Sequence, residues 1–237
     1  MKSLIKKYPP LHKLAKYFYR TLVKSPVIYF LSRKTTPLSN WYGLDRGKPI
    51  DRFYIEQFLE NHQELIRGHC LELLNNDYTK KYGGARVTKG DILDIDHTNT
   101  AATIICDLRK MSTVPDNQYD TIVLTQVFQF IDDVDAALRE CQRVLKPGGS
   151  MLVTLPAISR IDCVSGTDGD FWRFTTASAR YLFGKVFDAK NLKIESKGNA
   201  RTGIYFFAGL AQEDTSKGVF TKDDPNFPTI ITVLAKK

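Results

Sequence analysis

The chain has 237 residues, of which 43% are hydrophobic and 25% charged, an ordinary balance for one large globular domain or a domain with an appendage. Its formal charge of +8 would suit nucleic acid. However, nine of the 34 basic residues stand within residues 1–40, where no acidic residue occurs, leaving 25 basic against 26 acidic residues in a remainder that is close to neutral. A domain without a basic stripe argues against nucleic-acid binding, and no apolar run approaches the roughly 20 residues that span a bilayer.

In chain order, residues 11–24, "LHKLAKYFYRTLVK", are bracketed by Pro9-Pro10 and Pro26 and predict a helix. At helical spacing Leu11, Leu14, Ala15, Phe18 and Leu22 share one stripe, with Lys13, Lys16, Arg20 and Lys24 opposite. Such a basic amphipathic helix has two readings: a helix packed on the domain with its basic face in solvent, or one lying on an anionic membrane surface. The stretch around it lacks the apolar run and small-residue cleavage site expected of a secretory signal. Residues 32–49 read as a connector, so residues 1–40 are expected to be a basic extension and 41–237 the domain. Asp51 suits an N-cap for a helix carrying Ile55, Phe58, Leu59, Leu65 and Ile66 up to Gly68.

Strands and helices then alternate. "HCLEL", "ARVT", "AATIIC" and "YDTIVLTQV" read as four strands, the last rich in β-branched residues after a turn-like "VPDNQ". A helix over Val134–Leu145 is stopped by Pro147-Gly148-Gly149, and "SMLVTLP" is the next strand. A helix near residues 176–187 and strands near 192–196 and 229–235 complete the pattern. Alternation of this kind argues for a parallel sheet with helices on both faces, whose ligands bind beyond the carboxyl ends of the strands. Polar residues gather at those ends: Glu72 after the first strand, Asp91 after the second, Asp107 after the third, and Thr125-Gln126 after the fourth. The four cysteines and four histidines are scattered without metal-ligand spacing, which argues against a metal and fits reduced thiols in a cytoplasmic setting.

The stretch "YDTIVLTQVFQFIDDVDAALRECQRVLKPGGSMLVTLP" resembles class I S-adenosylmethionine-dependent methyltransferases between their fourth and fifth strands. "GLDRGKPIDRFYIEQFL", "FWRFT" and "PTIITVLAKK" resemble bacterial methyltransferase-like domains of the type found beside glycosyltransferases. The resemblance implies a Rossmann-like three-layer α/β/α sandwich, with a seven-stranded, mostly parallel sheet and an antiparallel last strand. It also implies S-adenosylmethionine as cofactor. Glu72 then faces the methionine end, Asp91 accepts from the ribose hydroxyls, and Asp107 and Leu108 lie beside the adenine. Asp94 and Asp96 stand near Asp91 as competitors for its role, and Leu74, Asn75, Thr125 and Gln126 line the same site.

Leu74 departs from the family, which places glycine there; Asn75 and Asn76 tolerate the left-handed backbone and could make the turn instead. That bulk argues against a dinucleotide pyrophosphate, whose approach needs the glycines. Trp172 and Arg173 either wall an acceptor pocket or pack a loop, with Arg173 paired to a carboxylate such as Asp170. The leading reading is methyl transfer to a small or glycan-like acceptor with no nameable base, since Gln129 cannot serve as one and Asp162 and Asp170 are weaker candidates. The competing reading is a non-catalytic module that binds a partner or a membrane through residues 1–40.

Overall fold

The computed structural model describes residues 14, 17, 18, 25–32 and 35–237. Most of the expected amphipathic helix at 11–24 lies outside the described residues. A short helix α1 (Pro26–Leu31) precedes the domain, and Leu38 anchors the following segment by burying its side chain and donating its N–H to the Ala208 carbonyl at 2.9 Å.

Seven strands form one sheet in the order β3-β2-β1-β4-β5-β7-β6. They are β1 (Gly68–Leu73), β2 (Val87–Asp94), β3 (Ile104–Ile105), β4 (Tyr119–Thr125), β5 (Leu145–Pro156), β6 (Leu192–Lys197) and β7 (Ile230–Lys236). The first five run parallel, while β7 lies antiparallel between β5 and β6. β4, with the strongest run of β-branched residues, takes the centre and pairs with β1 and β5.

Because side chains alternate across a strand, the sheet has two dry faces. Ile122, Leu124, Met151 and Val153 pack against helices α3 (Val134–Val144) and α4 (Thr176–Phe183). Val123, Leu152 and Leu234 face α2 (Ile50–Asn61) and α5 (Ala200–Phe207). Caps set the helix starts: Asp133 accepts from Ala136 N at 2.9 Å, and Thr175 forms a reciprocal box with Ser178.

Several boundaries differ from the expected ones. Pro49, not Asp51, precedes α2; Asp51 sits in the first turn, where its carboxylate suits the positive helix end. The third strand contracts to two residues, because the Asp96-His97-Thr98-Asn99 stretch forms side-chain-bonded turns that keep the chain off the sheet until Thr103. Helix α5, capped by Asn199 through Arg201 and Thr202, has no counterpart among the expected elements; Gly203 interrupts its pattern.

Candidate active site

The carboxyl ends of the central strands open onto a cavity of about 860 Å³, of the size that holds a small molecule. It lies beside the junction of β1 with β2 and β4, where the strand order reverses. Glu72, near the end of β1, is buried. Its carboxylate accepts from the Thr79 N–H at 2.8 Å and the Tyr78 N–H at 3.3 Å, so it fixes the single helical turn that follows the loop. Burial pushes its pKa up against the opposing pull of those donors.

The loop between them turns at Leu74 itself, with φ 67°, and neither Asn75 nor Asn76 takes the left-handed conformation expected of them. A non-glycine residue costs about 1–2 kcal/mol in that region. Two hydrogen bonds hold it there. Leu74 N donates to the Leu93 carbonyl at 3.0 Å, and Asn99 Nδ2 donates to the Leu74 carbonyl at 2.8 Å. The Leu74 side chain, 61% exposed, lies on the cavity wall. Gln126 repeats the strain at the end of the neighbouring strand, with φ 56°, held by its N–H to the Thr154 carbonyl and by Gln129 Nε2 to its own carbonyl, each at 2.9 Å. Two strained residues on adjacent strand ends, facing one cavity, form the pattern expected of a functional site.

Asp91 is displaced from its expected place. β2 continues through "DILD", so Asp91 stands within the strand opposite Leu71, and Asp94 closes it. The Asp91 carboxylate lies 2.7 Å from His69 Nε2, accepts from Tyr119 Oη at 3.2 Å and lies 3.4 Å from Lys89 Nζ. Burial opposes its charge, but the bond to His69 and the nearby Lys89 outweigh this and hold the carboxyl below its usual range. Asp91 is not on the cavity wall; Asp94 is. Asp94 accepts from Asn99 Nδ2 at 2.7 Å, so Asn99 ties the β1 and β2 loops together.

Asp107 and Leu108, after β3, line the cavity with Thr125, Gln126 and Asn75. Arg109 clasps Asp107, with Nη2 at 2.6 Å and Nε at 3.0 Å from Oδ2, and this hydrogen-bonded clasp lowers the Asp107 pKa. Arg109 also reaches Asp132 on the far wall. Upstream, Lys48 and Lys81 hold Glu56 at 2.6 and 3.3 Å, and Arg52 donates to Tyr78 Oη while lying 5.6 Å from the centre of its ring. Residues 44–52 thus cover part of the mouth.

Of the two readings of Trp172 and Arg173, the contacts formed are those of the loop-packing one. Arg173 gives two hydrogen bonds to Asp170, at 2.6 and 2.9 Å, and others to the Ser159 and Arg160 carbonyls, so its guanidinium is committed to holding a loop. Trp172 Nε1 donates to the Ile131 carbonyl at 2.8 Å. Phe171 lines the cavity in their stead. Asp94 was legible once the strand is extended by "DILD"; nothing in the sequence marks Asn99 or Arg109.

Residues 70–153 match the family model described as a methyltransferase domain. Over that stretch the chain is similar to S-adenosylmethionine-dependent methyltransferase domains. Over 88 residues it is 35% identical to a ubiquinone/menaquinone biosynthesis C-methyltransferase of Shewanella frigidimarina, an alignment covering 37% of this chain and 32% of that protein. The chain thus spans about a third of the length of the curated relatives it matches. A methyltransferase of Archaeoglobus fulgidus shares the fold at 12% identity, with a TM-score of 0.54 over 78% of this chain and 94% of its own. Phosphoethanolamine N-methyltransferase 2 of Haemonchus contortus aligns at 13% identity and a TM-score of 0.53, over 94% of this chain and 59% of its own.

The walls of the cavity suit S-adenosylmethionine, which carries a sulfonium, an ammonium and a carboxylate. Glu56, Glu72, Asp77, Asp94, Asp107 and Asp132 stand against Lys48, Arg52, Lys81 and Arg109, an acidic excess that favours a cation. Among the described residues no group of three or more His, Cys, Asp or Glu could hold a metal ion, and no helix is long and apolar enough to cross a membrane.

Proposed function

We propose that the chain transfers a methyl group from S-adenosylmethionine to a small-molecule acceptor. The observation that carries this reading is the convergence of Glu72, Asp94 and Asp107, from three successive strand ends, on one cavity flanked by the strained Leu74 and Gln126. Asp94 takes the ribose hydroxyls, in place of Asp91. Asp107 and Leu108 take the adenine, and a carboxylate with several lone-pair sites retains capacity beyond its Arg109 clasp. Glu72, Leu74 and Asn75 border the methionine portion, with Thr125 and Gln126 toward the acceptor.

When bound, the cofactor supplies an electrophilic methyl group on a sulfonium. The protein's share is alignment and exclusion of water: Phe130, Ile131 and Phe171 give an apolar wall on the acceptor side, and among the described residues no histidine lines the cavity as a base. The curated relatives are C-methyltransferases, which supports a small acceptor with a nucleophilic carbon over a glycan. The test incubates the full chain and the Asp94→Asn variant with methyl-tritiated S-adenosylmethionine and a panel of hydroquinones, small phenols and oligosaccharides. Label entering a hydroquinone or phenol, and lost in the variant, supports the reading. Cofactor binding without transfer to any acceptor would favour the non-catalytic module.

A further inference from the structure

A second cavity, of about 480 Å³, lies between α1 and α5 and shares no lining residue with the first. Phe30, Ile158, Ile204, Phe207 and Phe227 are among its walls. Its lining includes two polar side chains, Tyr29 and Asn199, and Asn199 is fully engaged: Oδ1 accepts from Arg201 and Thr202, and Nδ2 donates to the Val219 and Lys222 carbonyls. A groove walled mostly by apolar side chains, with the Tyr29 hydroxyl as its other polar side-chain group, selects a mostly apolar occupant such as an alkyl chain.

The surface around the groove is equally apolar. Leu31 is 82% exposed, Val27 66%, and Ile204 and Phe207 56% each, and Ile28 also faces out. Exposed apolar residues gathered on two neighbouring helices are the composition of an interaction site. α1 and α5 hold one charged residue between them, Arg201, and no acidic one. Asp223, near the rim, is offset by Lys197 at 3.4 Å, leaving Asp224 as an opposing charge beside Phe227. The sequence leading directly into α1 is basic: residues 1–24 carry seven Lys or Arg and no Asp or Glu. Leu14 and Phe18 within it are themselves more than half exposed, so they are not what fills the groove.

We propose that the α1–α5 face docks on an anionic phospholipid membrane, with the groove receiving an acyl chain and the basic segment meeting the headgroups. Apolar residues at the contact and basic residues flanking it are the two components of peripheral binding, each basic residue near the surface contributing roughly fivefold to partitioning. This assignment is independent of methyl transfer.

The test sediments the full chain with vesicles of equal parts phosphatidylglycerol and phosphatidylcholine, and with phosphatidylcholine alone. The proposal expects binding to the mixed vesicles, weakened at high salt, and little to the neutral ones. Leu31→Asp, at a site too exposed to disturb folding, should lower partitioning at least tenfold with an unchanged circular dichroism spectrum. Gly203→Leu extends a side chain into the groove from a Cβ whose nearest neighbour is Ile158 at 3.8 Å, and should lower it severalfold. No sedimentation of the wild type, or equal sedimentation of Leu31→Asp, overturns the proposal. Unchanged partitioning of Gly203→Leu removes the acyl chain from it. A dimer in light scattering that Leu31→Asp dissociates would assign the face to a second copy instead.

Discussion

Replacing Leu74 by glycine and by alanine should reverse the usual order of stability of those two residues. In ordinary backbone conformations alanine is the more stable by about 0.5–1 kcal/mol, because glycine has more freedom to lose on folding. At Leu74, with φ 67°, alanine retains a left-handed penalty of about 1–2 kcal/mol that glycine does not have. Subtracting glycine's entropic cost leaves Leu74→Gly ahead of Leu74→Ala by about 0.5–1 kcal/mol. Both variants lose the same side chain, which is mostly exposed, so burial cancels from the comparison. In a domain of this size the difference is a rise of roughly 1–4 °C in melting temperature, within reach of calorimetry. Because the leucine side chain lies on the cavity wall, both variants should also bind S-adenosylmethionine more tightly than the wild type. Equal melting temperatures, or alanine the more stable, would refute a turn held in the left-handed conformation.

Asp94→Asn should weaken S-adenosylmethionine binding about tenfold or more in titration calorimetry, whereas Asp91→Asn should leave it unchanged, since only Asp94 lines the cavity. Asp91→Asn acts on stability instead. The folded-state pKa of Asp91 is depressed, so its contribution is fully present above its unfolded value near 4 and is lost as pH falls through the folded value. Thermal unfolding followed from pH 7 to pH 3 should therefore fall less steeply below about pH 4 in the variant than in the wild type. Arg173→Ala should lower the melting temperature by roughly 5–10 °C, because it leaves the buried Asp170 carboxylate without its ion pair, while cofactor affinity stays within twofold.

The sheet was legible because its strands announce themselves twice, as β-branched runs and as runs that alternate with helical stretches. β4 and α3 follow that pattern closely, whereas β5 begins at Leu145 and takes in the Pro147-Gly148-Gly149 stretch expected to be a turn; their side chains supply the two faces of the core. The site was less legible, since function depends on where a strand ends. "ARVT" looks like a complete strand, yet "DILD" carries it four residues past Lys89-Gly90 and exchanges Asp91 for Asp94 at the cavity. The turn after Glu72 could be read as glycine-less, but the residue that takes the left-handed conformation could not. Long-range bonds from Asn99 and Leu93 place that strain on Leu74 despite its poor intrinsic preference. Arg173 meets Asp170, the partner that the loop-packing reading named.

The most direct test of the account is calorimetric titration of the full chain with S-adenosylmethionine and S-adenosylhomocysteine, with the Asp94→Asn variant in parallel. The account predicts saturable heat with a stoichiometry near one for both ligands, a raised melting temperature in their presence, and a marked loss of affinity in the variant. Absence of heat and of any thermal shift at millimolar ligand, in the wild type and in Leu74→Gly alike, would contradict it.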